Sequence, residues 1–219
     1  MVRTARDTEA TSPFAPLLAA VAGSLPAVFR EQFLLPADAS WCVLLEGSME
    51  EVWHRPRWLR PILRLLARWD VLYPERGAGV PTRMLVAGSR DRRGRAVQVW
   101  RRTFAFDPER RIDAELTYEP RLGLVVEWMG PQNCLEMAWQ PRFLPPRSLE
   151  VRAELQAIRL GRLRMPLPRR LRVSAHAVDT ALTEDTLRCD LVVSHPLIGP
   201  IFGYAGEFRV TRVAASCAR

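Results

Sequence analysis

Five polar side chains lie on strand-like stretches whose other residues on the same side are apolar. Arg102 alternates with Trp100 and Phe104, Glu127 with Val125 and Met129, and Tyr204 with Phe202 and Phe208. Tyr118 follows Ile112, Ala114 and Leu116, and Glu46 alternates with Cys42 and Leu44. In an extended strand, residues two apart share a face, so all five groups are expected to point inward. A polar group in an apolar interior needs a partner or a ligand. A carboxyl group there has a raised pKa and can act as a general base near neutral pH. Glu127 and Glu46 are therefore candidate catalytic groups. Tyr204 is a candidate donor to developing negative charge. Arginine keeps its charge, so Arg102 would hold an anionic substrate group against a wall of Trp100, Tyr118, Phe202 and Phe208. His195 precedes Pro196 in a turn and is a candidate proton shuttle; the alternative is a turn residue that bonds locally. The structural alternative for the whole set is a Glu–Arg pair that satisfies itself inside the sheet.

Other chemistries lack their signatures. The chain has no GxSxG elbow, no HExxH, no GxxxxGK phosphate loop and no GxGxxG turn. Four cysteines, Cys42, Cys134, Cys189 and Cys217, form no CxxC pair, and three histidines stand far apart. Neither a metal site nor a cofactor is expected. Cys42 and Cys189 read as small buried hydrophobes, and a reduced cytoplasmic compartment as the simplest setting. The net charge is +8, and every one of the 32 basic residues is arginine. That charge favours anionic partners. The arginines are spread along the chain without a recognition module, so nucleic acid is not expected.

The elements that must position these groups are mostly strands. Residues 1–12 are polar and read as a disordered tail, followed by a single domain over 13–219. Phe14 to Phe33 reads as two short helices broken at Pro26, placed to cap one end of a sheet or to dock a partner. A strand runs over Ser40–Met49. A helix is expected over Leu59–Trp69, with Trp58, Ile62, Leu65, Leu66 and Trp69 at helical spacing and Arg60, Arg64 and Arg68 on one face. Those arginines make a solvated face or an anion or partner contact. Strands follow at Thr82–Arg90, Arg95–Phe106, Arg111–Glu119, Leu122–Met129, Cys134–Phe143 (broken at Pro141), Leu149–Ala153, Ala157–Arg164, Leu171–Leu182 and Thr186–Ser194. The turns DRRG, PRLG and TED make antiparallel hairpins. The last strand, GPIFGYAGEFRV, has two internal glycines, Gly203 and Gly206. Glycine there implies a bulge, a bend, or close approach of a backbone or ligand. About ten antiparallel strands with few helices must hide their edges. A mainly β (α+β) fold is expected, a barrel-like or strongly curled sheet with helices over one opening; the alternative is a two-sheet sandwich. No uncharged run is long enough to span a membrane.

The segments LEGSMEEVWH, VWRRTFAF, GLVVEWMG, RMPLP and SHPLIGPIFGYAGEF, in that order, resemble the bacterial domain-of-unknown-function family 4166 over about residues 41–213. In longer relatives the domain follows a dehydrogenase-like or membrane-embedded region; here the expectation is the domain alone. The family brings an envelope and little chemistry. From the residues themselves, the expected function is a cofactor-independent biosynthetic enzyme. It would bind a small anionic metabolite in a barrel pocket and catalyse a cyclisation, elimination or isomerisation, with ring closure favoured because orientation does most of the work. The alternative is a non-catalytic module that binds a small molecule or a companion protein subunit. Neither nucleic acid nor membrane is expected as a partner.

Overall fold

The alternating stretches after residue 40 join into one antiparallel ladder that returns on itself. The computed structural model describes residues 12–161 and 163–214. Eleven strands stand among them: β1 (Trp41–His54), β2 (Val80–Arg90), β3 (Ala96–Phe104), β4 (Arg110–Glu119), β5 (Leu124–Met129), β6 (Leu135–Leu144), β7 (Ser148–Leu160), β8 (Leu163–Pro166), β9 (Ser174–Ala181), β10 (Thr186–His195) and β11 (Gly199–Ala214). Their order is β6-β5-β4-β3-β2-β1-β11-β10-β9-β7, and β7 pairs back onto β6. This closes a ten-stranded barrel with β8 outside it on β7. Closure removes the sheet edges, so the sandwich alternative falls.

Three local expectations are corrected. The segments 149–153 and 157–164 are not two strands. One long strand, β7, pairs with β9 up to Glu154 and then with β8 from Ala157. The strand expected from Leu171 starts at Ser174, because residues 169–171 form a 3₁₀ turn after Pro168. Pro141 does not break β6. Pairing with β5 ends at Trp139, so Pro141 stands where β6 has a neighbour on one side only, a position that tolerates a missing N–H.

The N-terminal segment closes one end of the barrel. Helices α1 (Ala15–Leu18) and α2 (Ala27–Phe33) bury Phe14, Leu18, Val28, Phe29 and Phe33 in the barrel core. Phe14 and Phe33 meet Trp100 at ring distances of 6.1 and 5.7 Å. The α2 carbonyl end has no intrahelical partners, and Gln98 supplies them. Its Nε2 donates to the carbonyls of Gln32 and Phe33 at 3.2 and 3.1 Å, while its Oε1 accepts from Trp100 Nε1 at 3.0 Å. Ser12 is buried too and donates to the Phe33 carbonyl at 2.6 Å. Ser12, expected in the tail, is thus packed against the domain; residues 1–11, the rest of the expected tail, lie outside the described residues, as does Cys217.

The other end carries α3 (Arg60–Ala67), preceded by a 3₁₀ turn at 57–59. Leu59 and Leu63 are its buried contacts, while Trp58 (60% exposed), Ile62, Leu65 and Trp69 face outward. The buried side of the helix is narrow, with Leu66 and Ala67 only partly buried against the core, and much of the expected apolar stripe stays in water. Below it, Tyr73 packs on Phe104 and Phe202 at 4.9 and 5.2 Å. No helix among the described residues is long and apolar enough to cross a membrane.

The glycines of β11 are explained by close backbone approach. Pairing of β1 with β11 shifts register between Met49 and Glu51. A Cβ on Gly206 would stand 2.4 Å from the Ser48 carbonyl oxygen, and one on Gly47 would stand 1.8 Å from that of Glu207. Gly203 admits the Trp53 ring, 2.6 Å from where its Cβ would be. Gly47→Ala is expected to cost about 3 kcal/mol or more, since backbone must move. Gly23→Ala, with open space around it, should cost little. Urea midpoints of the two variants check the contrast.

Candidate functional site

Closure turns one face of each strand into a shared interior, and the polar residues on that face meet there. A cavity of about 60 Å³ lies inside, its polar lining made by Gln32, Thr82, Arg102, Asp179, Cys189 and Tyr204. Trp100, Trp139 and Phe208 supply part of the apolar wall. Against the ~15 Å³ that one water needs, it has room for a few waters or one carboxylate-sized group.

Arg102, on β3, is stacked over the Trp100 ring with its guanidinium carbon 5.0 Å from the centroid. Its Nη2 stands 3.8 Å from Glu127 Oε1, a loose ion pair with both side chains buried. Glu127, on β5, is 4% exposed and accepts from Trp139 Nε1 at 2.8 Å. Burial pushes its carboxyl above the usual range, while Arg102 and the Trp139 N–H pull the other way. Asp179, on β9, is 6% exposed and faces Cys189 of β10 across the ladder. Burial raises its pKa to about 6 against the pull of the Cys189 thiol and Arg102. The same burial raises Cys189, with Asp179 adding to the shift. Tyr204 on β11 is raised as well, chiefly by burial, and stays a neutral phenol. Asp179 Oδ1 and Gln32 Oε1 are buried without a hydrogen-bond partner. The hollow thus holds one fixed cation and the raised carboxyl of Asp179, with Glu127 beside Arg102 outside the lining, and Asp179 Oδ1 and Gln32 Oε1 as unpaired acceptors.

The expected residues divide clearly. Arg102, Trp100, Tyr204 and Phe208 line the cavity, and Glu127 stands behind Arg102. Phe202 is fully buried but packs edge-on against Tyr73 and Tyr204, outside the lining. Tyr118 is half-buried against the core, also outside it. His195 sits in the β10–β11 turn, where its Nδ1 accepts the Leu197 N–H at 3.2 Å; local bonding is its observed role. Glu46 is a correction. It points out of the barrel and pairs with Arg83, its partner across β1–β2, at 2.8 Å with both side chains exposed. Both faces of β1 begin apolar, so Cys42 and Leu44 mimic an inward face. The inward set is Val43, Leu45 and Met49.

Gln32, Thr82 and Asp179 are polar cavity residues that the sequence reading did not single out, and Cys189 was read there only as a small buried hydrophobe. The signal was there: Asp179 alternates with Ala175, Ala177 and Ala181, an acid on a face of small apolar residues.

The family model described as Domain of unknown function (DUF4166) matches residues 25–208. The chain belongs to this family. No curated protein and no solved structure matches it. The matched span of the DUF4166 domain runs from before Gln32 to Phe208, and so contains every residue that lines the cavity.

The Asp179 shift has a definite sign. Folding raises its pKa from the ordinary 3.8 to about 6, so the folded chain holds a proton that the unfolded chain has lost between those values. Its contribution to stability falls as pH rises from 3.8 to about 6, then levels off at a penalty of order 3 kcal/mol. Asp179→Asn is therefore expected to match the native chain near pH 4 and to exceed its stability near pH 7. Thermal midpoints of both chains across that range test it; parallel curves would contradict it.

Proposed function

We propose that the DUF4166 domain is a cofactor-independent enzyme that holds a small anionic substrate in its barrel and moves a proton on it. The observation that carries this reading is Arg102 set between two buried carboxyls, Glu127 and Asp179, beside a void with unpaired acceptors. Arg102 binds the anionic group. Gln32 Oε1 and Asp179 accept from hydroxyl or amine hydrogens next to it. A carboxyl with a raised pKa exchanges a proton readily near neutrality, and Tyr204 donates to the oxygen on which charge develops. Isomerisation, elimination and ring closure all fit such a set, with the aromatic walls folding the substrate. A substrate larger than a carboxylate group enters only if Gln32 and Phe33, which form part of the cavity wall, move with the N-terminal cap.

A second reading has its own support. The outward Trp58, Ile62, Leu65 and Trp69 on α3 form the kind of surface that partner-binding modules present, and the cavity is small for a metabolite.

Thermal shift with glycolate, lactate, malate and succinate separates the readings. At least one acid is expected to stabilise the native chain and to lose that effect in Arg102→Met. Glu127→Gln, which still accepts from Trp139, is expected to keep its urea midpoint while abolishing exchange of the bound acid's carbon-bound hydrogen into D₂O. Stabilisation by no acid would remove the enzyme reading and leave the partner-binding one. Joint loss of stability and exchange in Glu127→Gln would make the pair structural.

A further inference from the structure

A second polar site lies at the α3 end, on the far side of the Tyr73, Phe104 and Phe202 rings from the barrel cavity. An open pocket of about 480 Å³ is lined there by His54, Arg57, Arg60, Glu75, Arg76 and Phe106. His54 ends β1, and Arg57 and Arg60 follow in the turn that starts α3. Glu75 and Arg76 return on the segment leading to β2.

Three features make this pocket a built anion site. First, its positive charge is uncompensated. Glu75 is its acid, and Arg110 occupies both carboxylate oxygens at 2.6 and 2.7 Å. Arg57, Arg60 and Arg76 make no ion pair with a described residue, whereas Arg83, Arg95, Arg152, Arg188 and Arg212 elsewhere all do. Second, His54 is 1% exposed, and neither ring nitrogen meets hydrogen-bond geometry with a protein atom. The Pro74 carbonyl is near enough to favour a proton on the ring, but burial, Arg76 and Arg60 hold the imidazole toward its neutral form. A neutral imidazole keeps one N–H donor, and the Pro74 carbonyl is the acceptor beside it, outside hydrogen-bond geometry. Third, the chain from Trp53 to Trp69 contains five arginines and no acid, so no carboxylate within that stretch competes for the guanidinium groups.

We propose that His54, Arg57, Arg60 and Arg76 bind the phosphoryl group of a phosphate monoester, independently of any chemistry in the barrel. A phosphate monoester is the fitting class because its oxygens accept from several guanidinium N–H groups at once and from one imidazole N–H. The volume leaves space beside the phosphoryl group for the rest of a ligand, with Phe106 as an apolar side. Two sources share this chemistry: a soluble phosphorylated metabolite, and the headgroup of an anionic lipid reached across the exposed Trp58, Ile62, Leu65 and Trp69.

The test uses the full chain. Inorganic phosphate is titrated against the His54 ring resonances and by calorimetry, with chloride at equal ionic strength as control. Sedimentation with phosphatidylcholine vesicles, with and without a minor fraction of phosphatidic acid, forms the second arm. Saturable binding that shifts His54 is expected. Arg57→Gln, Arg60→Gln and Arg76→Gln should each weaken it about tenfold, and Arg83→Gln, on the barrel wall, should leave it unchanged. Sedimentation that requires phosphatidic acid and the same three arginines identifies the lipid source. Phosphate binding without sedimentation identifies the soluble one. If phosphate and phosphatidic acid both leave His54 unmoved, or the three arginine variants bind like the native chain, the site is refuted.

Discussion

Ring closure between β6 and β7 is the constraint on which the molecule depends. An open sheet of ten strands would offer solvent to both faces, and Glu127 and Asp179 would lose the burial that raises their carboxyls. Once β7 returns to β6, one face of each barrel strand is removed from water. Desolvation then becomes the leading cause of the shifts at Glu127, Asp179, Cys189 and Tyr204. Within that ring β1 and β11 pair along most of their length, with a register shift between Met49 and Glu51. Gly47 and Gly206 are where their backbones come too close for a side chain. The chemistry inside and the glycines in the wall are two consequences of one geometric demand.

Charge is distributed by the same logic. Outward residues pair across the sheet, as Glu46 does with Arg83 on the adjacent strand and Arg188 with Glu50 across the intervening β11. Exposed pairs of this kind contribute little individually, but they leave few arginines with charge to spare on the barrel wall. Inside, the Arg102–Glu127 contact is loose and Asp179 Oδ1 has no partner. A core selected only for stability would gain by filling these places with hydrocarbon. Their presence in the hollow is the observation on which the proposed binding of a small anion rests.

The two ends of the barrel are treated differently. At one end the chain's own α1 and α2 supply the aromatic plug and are tied down through Gln98. At the other, α3 covers the rim with Leu59 and Leu63 while leaving its tryptophans and arginines outward. The first end is finished within the chain. The second has apolar surface and positive charge left without a counterpart among the described residues.

Alternation and turn chemistry alone determined the antiparallel strands, their approximate limits, the need to hide their edges and the inward direction of Arg102, Glu127 and Tyr204. Period-two patterning is a local property, and these strands have one clearly apolar face. It failed at Glu46, because β1 begins apolar on both faces and only the barrel decides which one is inside. Asp179 was legible on its alanine face but became chemically meaningful only when β9 and β10 set it beside Cys189, toward Arg102. His195 could be placed in a turn from its proline, yet its bond to Leu197 rather than to the hollow is a tertiary fact. So is the exposure of the α3 stripe, whose spacing is that of a buried helix. Local pattern fixes which side of an element a residue occupies; only the closing of the ring decides which sides lose their water and which charges are left to face one another.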